Sequence, residues 1–273
     1  MTTDVIAAGW LARLERLDVV GSTNDVVMGW LRDGTPEVCI AIAGEQSAGR
    51  GRNGRTWTAP PGASLLLSIG FRPTWLGPEL AWRLGAIVAL AMAAAADQVA
   101  GVPAGTVRLK WPNDLVVRDP ETGGAQKVAG LLGETDGLGT PDPRAVIGIG
   151  VNVDWARRDF PAELDSTMTS LSEIAGDRQV GAVPLLDAFL AKLQPMVDGL
   201  RAGAFDGDAW RARQLTNGLP VRIERPDGSA ETVTAVSADP DTGALLVRAL
   251  DGSGPVRPVL VGEIRHLRLG GVV

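Results

Sequence analysis

Glu45-Gln46-Ser47-Ala48-Gly49-Arg50-Gly51-Arg52-Asn53-Gly54-Arg55-Thr56-Trp57 is the stretch that decides the fold. Its glycines at 49, 51 and 54 match G-x-G-x-x-G, the phosphate turn of a doubly wound dinucleotide fold. That fold would open a helix at the last glycine and carry an acid about 20 residues on. Here Pro60-Pro61-Gly62 follows almost at once, and no acid stands where the ribose would need it. A Walker-type GxxxxGKS/T run is absent as well. What remains is an anion-binding loop: glycines permit unusual backbone, and Arg50, Arg52 and Arg55 add planar donors that no pH change neutralises. Such a loop wraps phosphates or carboxylates. With three like charges among three glycines, it is expected to stay mobile until an anion orders it. A solvated basic turn would carry the same residues, so the neighbouring stretches have to decide.

Upstream, Val38–Gly44 reads as a strand, and Gly21-Ser22-Thr23-Asn24 as a cap for a helix with Val26, Val27, Trp30 and Leu31 inside. Trp10, Leu11, Leu14 and Leu17 have near-helical spacing within residues 1–20. Downstream, Ser64–Phe71 is a strand and Glu79–Ala100 a long buried helix. Two short strands, Thr106–Trp111 and Leu115–Arg118, flank a turn, and Asp119–Ala125 forms a polar hairpin tip. Gln126–Thr135 and Ala145–Val153 are glycine-bearing strands; Pro184–Arg201, kinked near Pro195, and Phe205–Gln214 are helices. Beyond Thr216 the pattern changes to short strands, Val221–Glu224, Glu231–Ser237, Leu245–Ala249 and Val256–Val261, joined by Asp/Gly turns. The expected organisation is a large α+β domain over 1–214 and a small barrel over 215–273.

Composition sets outer limits. The chain has 273 residues, 45% of them hydrophobic, and a formal charge of -6 from 26 basic and 32 acidic side chains, which excludes a general nucleic-acid-coating role. The single cysteine, Cys39, forms no intrachain disulfide and lies in an apolar run, consistent with a buried, inert thiol in a reducing compartment. Asp4 replaces the basic start of a secretion signal, and the apolar run Ala86–Ala96 is about half the ~20 residues a membrane span needs. A cytoplasmic chain with no membrane partner is expected.

Two further clusters carry chemistry. Lys110-Trp111-Pro112-Asn113-Asp114 sets a cation, an aromatic face, an amide and a carboxylate in one tight turn, where Asp114 is placed to hold Mg²⁺ or order an ATP phosphate. Lys127 enters a strand whose Gly130 and Gly133, like Gly148 and Gly150 later, suggest close approach by a ligand. Together with Gly-Ser-Thr-Asn, the arginine loop, Gly148-Ile-Gly-Val-Asn152 and Thr169-Ser170-Leu171, these motifs occur in the order seen in biotin protein ligases. The resemblance covers residues 17–175 and reaches Gly262-Glu263-Ile264, similar to the family's closing strand.

This resemblance implies a mixed β-sheet catalytic domain flanked by helices, akin to class II aminoacyl-tRNA synthetases, with a C-terminal SH3-like β-barrel. It implies a two-step reaction: biotin and ATP, with Mg²⁺, give biotinyl-5'-AMP, and a lysine of the biotin carboxyl carrier domain of an acyl-CoA carboxylase takes the biotin. Position by position, Ser22, Thr23, Asn24, Gln46 and Arg50 match the surroundings of the ureido ring, with Gly130, Leu131, Gly148 and Gly150 as the pocket floor. Gly51 and Arg52 match the loop that closes over the adenylate, and Lys127 matches the lysine touching the biotin carboxylate and α-phosphate. Trp57, Asn152, Arg55, Lys110, Asn113 and Asp114 match the ATP side, with Lys127 and Arg52 the expected catalytic cations. Only about 20 residues precede Gly21, too few for the winged helix of ligases that bind DNA, so no DNA partner is expected, and the chain is expected as a monomer or a weak ligand-dependent homodimer. The segment 119–126 is longer than the family's minimum, so Lys127 is placed by the Val-Ala-Gly after it; His266 has no evident partner and is expected to be structural. A lipoate-type acyl ligase shares this chemistry, and a non-catalytic anion-sensing module fused to a barrel is the alternative of another class.

Overall fold

The computed structural model describes residues 9–119, 123–164, 166–176, 178–225, 227–260 and 263–266. Its first sheet has seven strands: β1 (Arg13–Val20), β2 (Cys39–Gln46), β3 (Ser64–Phe71), β4 (Arg108–Lys110), β5 (Asp114–Arg118), β6 (Ala125–Asp136) and β7 (Arg144–Asn152). They lie in the order β1-β2-β3-β7-β6-β5-β4, all antiparallel pairings except β1 with β2. Parallel neighbours need a crossover, which α1 (Thr23–Arg32) supplies. It packs Val27 and Leu31 on one face with Cys39, Ala41 and Val146. On the other face lie α2 (Trp82–Ala100) and α4 (Ala182–Arg201), with Pro195 inside the helix. Short helices α3 (Leu171–Ile174) and α5 (Gly207–Ala212) complete the set.

Because both faces are covered, the central β3 reads as a nearly continuous apolar run, and Ser68, the hydroxyl in its middle beside the α1 N-terminus, is fully buried. The amphipathic piece before Gly21 is a strand and not a helix. Leu14 packs toward the α2 side and Leu17 toward the α1 side, so their three-residue spacing serves the two faces of an edge strand that is partly buried on each. Segment Pro78–Ala100 is long and apolar enough to span a membrane by composition, unlike the shorter run read from the sequence, but Leu84, Ile87, Val88 and Met92 are buried in the core. Burial pushes the Cys39 thiol up to about 11, which makes it inert at neutral pH.

The second sheet holds β8 (Pro220–Glu224), β9 (Ala230–Ala238), β10 (Leu245–Ala249), β11 (Arg257–Val259) and β12 (Glu263–His266), antiparallel in the order β11-β10-β9-β8-β12. It is the sheet of a small SH3-like domain. Trp111, from the β4–β5 turn, packs with Val221, Ile223, Val233, Leu245 and Val247, so the first sheet contributes the largest ring to the second sheet's core. Gly262 of the closing motif, the side chains of Glu263, Ile264 and His266, residues 1–8 and residues 120–122 of the hairpin tip lie outside what is described.

Candidate active site

A cavity of about 570 Å³ opens where the α1 N-terminus, the arginine loop, the β4–β5 turn and the strands β6 and β7 meet. Its two ends differ in chemistry. At one end are neutral hydrogen-bonding groups. Ser22 occupies the N-cap of α1, yet its hydroxyl caps no backbone N–H, which departs from the capping role expected of it. Thr23 donates from its backbone N–H and its hydroxyl to Gln46 Oε1, at 2.8 and 3.0 Å. Ser68 Oγ stands 2.7 Å from Thr23 Oγ1 and 2.6 Å from Asn24 Oδ1, and Asn24 donates to Glu134 at 2.6 Å. This chain fixes the helix end to three strands.

At the other end are cations. Lys127 Nζ lies 2.6 Å from Asp114 Oδ1, and Lys110 Nζ lies 3.8 Å from Asp114 Oδ2. Asn113 braces the turn by donating to Leu131 O at 2.6 Å while its backbone carbonyl accepts from Leu131 N–H, and Arg52 reaches it with a 3.3 Å bond to Asn113 Oδ1. Arg55 and Gly51 line the cavity at the loop's turn, where Gly51 N–H bonds Arg55 O at 2.7 Å. Between the ends, Leu67, Leu131 and Ile149 border the cavity from strands whose register turns their side chains into the core on the α2 face, which leaves the Trp57 ring and Leu132 on the cavity side.

The space over the strand glycines is taken by the protein's own side chains. Gly130 and Gly150 pair across β6 and β7, and Gly148 pairs with Leu132. A Cβ at Gly148 would stand 2.2 Å from Asn24 Oδ1, one at Gly150 2.5 Å from the Trp57 ring, and one at Gly130 2.8 Å from Lys127 Nζ. The glycines therefore admit the protein's own Asn24, Trp57 and Lys127, seating them side by side against the sheet. Trp57, expected beside adenine, rests on the glycines expected under biotin, with Lys127 Nζ 5.4 Å from its ring centroid.

Three other expectations change. The arginine loop is folded, not disordered: Arg50 bridges to Thr56, Arg52–Gly54 makes a 3-10 turn, and Trp57 N–H bonds Gly49 O. Its charges are met locally, because Arg50 donates to Asp25 at 2.8 and 2.7 Å and to Glu134 at 3.2 and 3.1 Å. Arg50 thus lines the cavity while its guanidinium is spent on carboxylates, which hold its pKa well above the usual arginine value. The same pairing, through its hydrogen bond first, holds the Asp25 carboxyl below the usual range. Asn152 is fully buried off the cavity wall, donating to Thr169 O at 3.1 Å while its Oδ1 has no partner.

The sequence reading missed Asp25, Glu134 and Ser68. A hydroxyl in the middle of an apolar strand was a readable signal for Ser68; nothing local marked the two acids. Thr169-Ser170-Leu171 also gains a physical role. Thr169 N–H bonds Lys127 O, Lys127 N–H bonds Thr167 O, and Ser170 Oγ accepts from Glu173 N–H to cap α3, so the segment anchors the start of β6.

The family described as Biotin/lipoate A/B protein ligase matches residues 17–152. A biotin-acetyl-CoA-carboxylase ligase of Mycobacterium tuberculosis is 35% identical over 269 residues, 96% of this chain and 91% of its own length. A bifunctional ligase/repressor of Escherichia coli is 38% identical over 91% of this chain and 72% of its own. Among solved structures, the Aquifex aeolicus biotin protein ligase in complex with biotin and ATP has a TM-score of 0.74 at 25% identity, covering 94% of this chain and 99% of that one.

Proposed function

The chain belongs to the biotin protein ligase family, and we infer from that premise that its cavity activates biotin with ATP as biotinyl-5'-AMP, then passes biotin to a lysine of the carrier domain of acetyl-CoA carboxylase. The observation that carries the assignment of roles is the bipolar cavity, neutral donors and acceptors at the α1 end and cations at the Lys127 end. Biotin has the same polarity: a neutral ureido ring, an apolar middle and a carboxylate. Ser22, Thr23, Asn24 and Gln46 receive the ring, Trp57 and Leu132 the apolar part with the Leu131 strand behind them, and Lys127 the carboxylate. Gly130, Gly148 and Gly150 support the pocket indirectly by seating Asn24, Trp57 and Lys127.

Attack of the biotin carboxylate on the α-phosphate brings two anions together and releases pyrophosphate. Fixed cations aimed at the developing charge supply most of the help. Lys127 bridges carboxylate and α-phosphate, held in place by Asp114 and the Trp57 face. Arg52 closes on the phosphate from the loop, with Lys110 and Arg55 on the triphosphate side and Asn113 positioning Arg52. Asn152 supports the nucleotide side from beneath the Thr169 segment. Among the described residues no three acidic, imidazole or thiol groups converge, and the Asp114 carboxylate is already shared by two ammoniums, so Mg²⁺ has no cage of its own there. It would arrive on ATP, with Asp114 the carboxylate placed to meet it. In the second step the carrier's lysine amine attacks the biotinyl carbonyl and AMP leaves.

Exchange of labelled pyrophosphate into ATP tests this reading. Biotin should be required for exchange and lipoate should not replace it. Exchange with lipoate at a comparable rate, or none with biotin, would overturn the reading.

A further inference from the structure

Asp25 and Glu134 have no part in the roles assigned above, yet both converge on Arg50 from different elements. Asp25 sits in the first turn of α1 and makes a two-pronged pair with the guanidinium, 2.8 Å to Nη1 and 2.7 Å to Nη2. Glu134, near the end of β6, takes Nη2 at 3.2 and 3.1 Å and accepts from Asn24 at 2.6 Å. Arg50 is the first bridge residue of the 49–57 loop, whose far side is tied by Arg50 to Thr56 and by Trp57 N–H to Gly49 O at 2.9 Å. Pulling Arg50 toward the two acids therefore pulls the whole loop down over the cavity. Glu134 also links that closure to the ring end, because Asn24 continues through Ser68 and Thr23 to Gln46.

We propose that Asp25 and Glu134 are positioning residues that latch the arginine loop shut through Arg50, setting how long the activated intermediate is held. This role rests on the adenylating function inferred above for its consequence, and on the geometry alone for the latch. The physical demand is plain. A mixed anhydride of biotin acylates any amine it meets, so it must be retained until the carrier's lysine arrives. The latch suits timed release, since Arg50, Asp25 and Glu134 side chains are 37%, 64% and 36% exposed and their pairs compete with water at every opening. A buried pair would hold the loop permanently; these pairs let it open.

The test uses the full chain with Asp25→Asn and Glu134→Gln combined; the second change keeps an acceptor for Asn24 while dropping the charge. Exposed charge-assisted pairs are each worth a few-fold in an equilibrium, so losing both should open the loop about 5- to 20-fold more often. Amide exchange over residues 49–57 without ligands should speed up by about that factor, and biotinyl-adenylate should leave faster by a similar factor. Saturated pyrophosphate exchange should stay within about twofold and the melting temperature within about 2 °C, because the pairs lie off the reacting atoms and at the surface. Asp25→Glu, which keeps the charge, should release the adenylate as slowly as wild type does. Unchanged loop exchange and unchanged release in the double variant would overturn the latch, as would a loss of activity in step with a fall in melting temperature. If the wild-type chain made no adenylate, the functional reading would fall, and the ligand-free exchange of 49–57 would still decide the latch.

Discussion

Lys127, proposed above as a catalytic cation, shows how surroundings place one side chain. It starts from a strand, lies over Gly130 because no Cβ blocks it, and is held by Asp114 at 2.6 Å with the Trp57 ring beside it. A contact of this kind is worth about 1.5 to 3 kcal/mol where it tightens in the transition state, so Lys127→Ala should slow pyrophosphate exchange by roughly 10- to 150-fold. Its melting temperature should hardly change, since the side chain is partly exposed; exchange within about twofold of wild type would remove Lys127 from the role. Asp25 gives a second expectation. Its folded carboxyl is depressed, so the stability it adds is fully present above the unfolded value of about 3.9 and is lost only as pH falls through the lower folded one. After correction for the chemical rate, protection of residues 49–57 should be flat from pH 7 to about 5 and fall below about 4; a fall already complete at pH 5 would contradict the pairing. Most residues that line the cavity were legible in the sequence because the motifs that resemble the family's contain them. Where Arg50 spends its charge was not, because Asp25 and Glu134 reach it through tertiary contacts that no local spacing records.

At the scale of elements, the glycine strands β6 and β7 decide how helix, loop and lysine fit together. Their glycines were readable as sites of close approach, but what approaches was not, since a missing side chain does not say which neighbour fills its space. Gly148→Ala tests the arrangement: its Cβ would stand 2.2 Å from Asn24 Oδ1, so the α1 end must shift. Overpacking of this sort costs about 1 to 3 kcal/mol, and here it should appear chiefly as a raised KM for biotin with kcat little changed. A variant with unaltered KM would show that the Asn24 end does not touch biotin. The β1 strand was misread for the related reason that Leu14 and Leu17 serve opposite faces, each partly buried. By contrast β3 was read from Ser64 to Phe71 as it stands, its buried run leaving no ambiguity.

For the whole molecule, Trp111 is the joint. Its neighbours Lys110, Asn113 and Asp114 line the cavity, while its own ring lies 3% exposed in the core of the second sheet and its Nε1 donates to Gly243 O at 3.0 Å. The turn that carries the residues proposed for the ATP side is thus positioned by the second sheet. Trp111→Ala should cost about 3 to 5 kcal/mol in urea unfolding, and Trp111→Phe about 1 kcal/mol for the lost hydrogen bond plus the smaller ring. A neutral alanine variant would mean the two sheets are not coupled this way. The sequence showed both the turn and the barrel but not that they share a core, because that contact joins residues far apart in the chain. The bipolar cavity built from all these parts makes one demand above the rest, the direction in which biotin lies. A co-crystal with biotin measures it: the ureido ring is expected among Ser22, Thr23 and Gln46 and the carboxylate within about 3 Å of Lys127 Nζ. A carboxylate at the α1 end, or biotin bound outside this cavity, would contradict it.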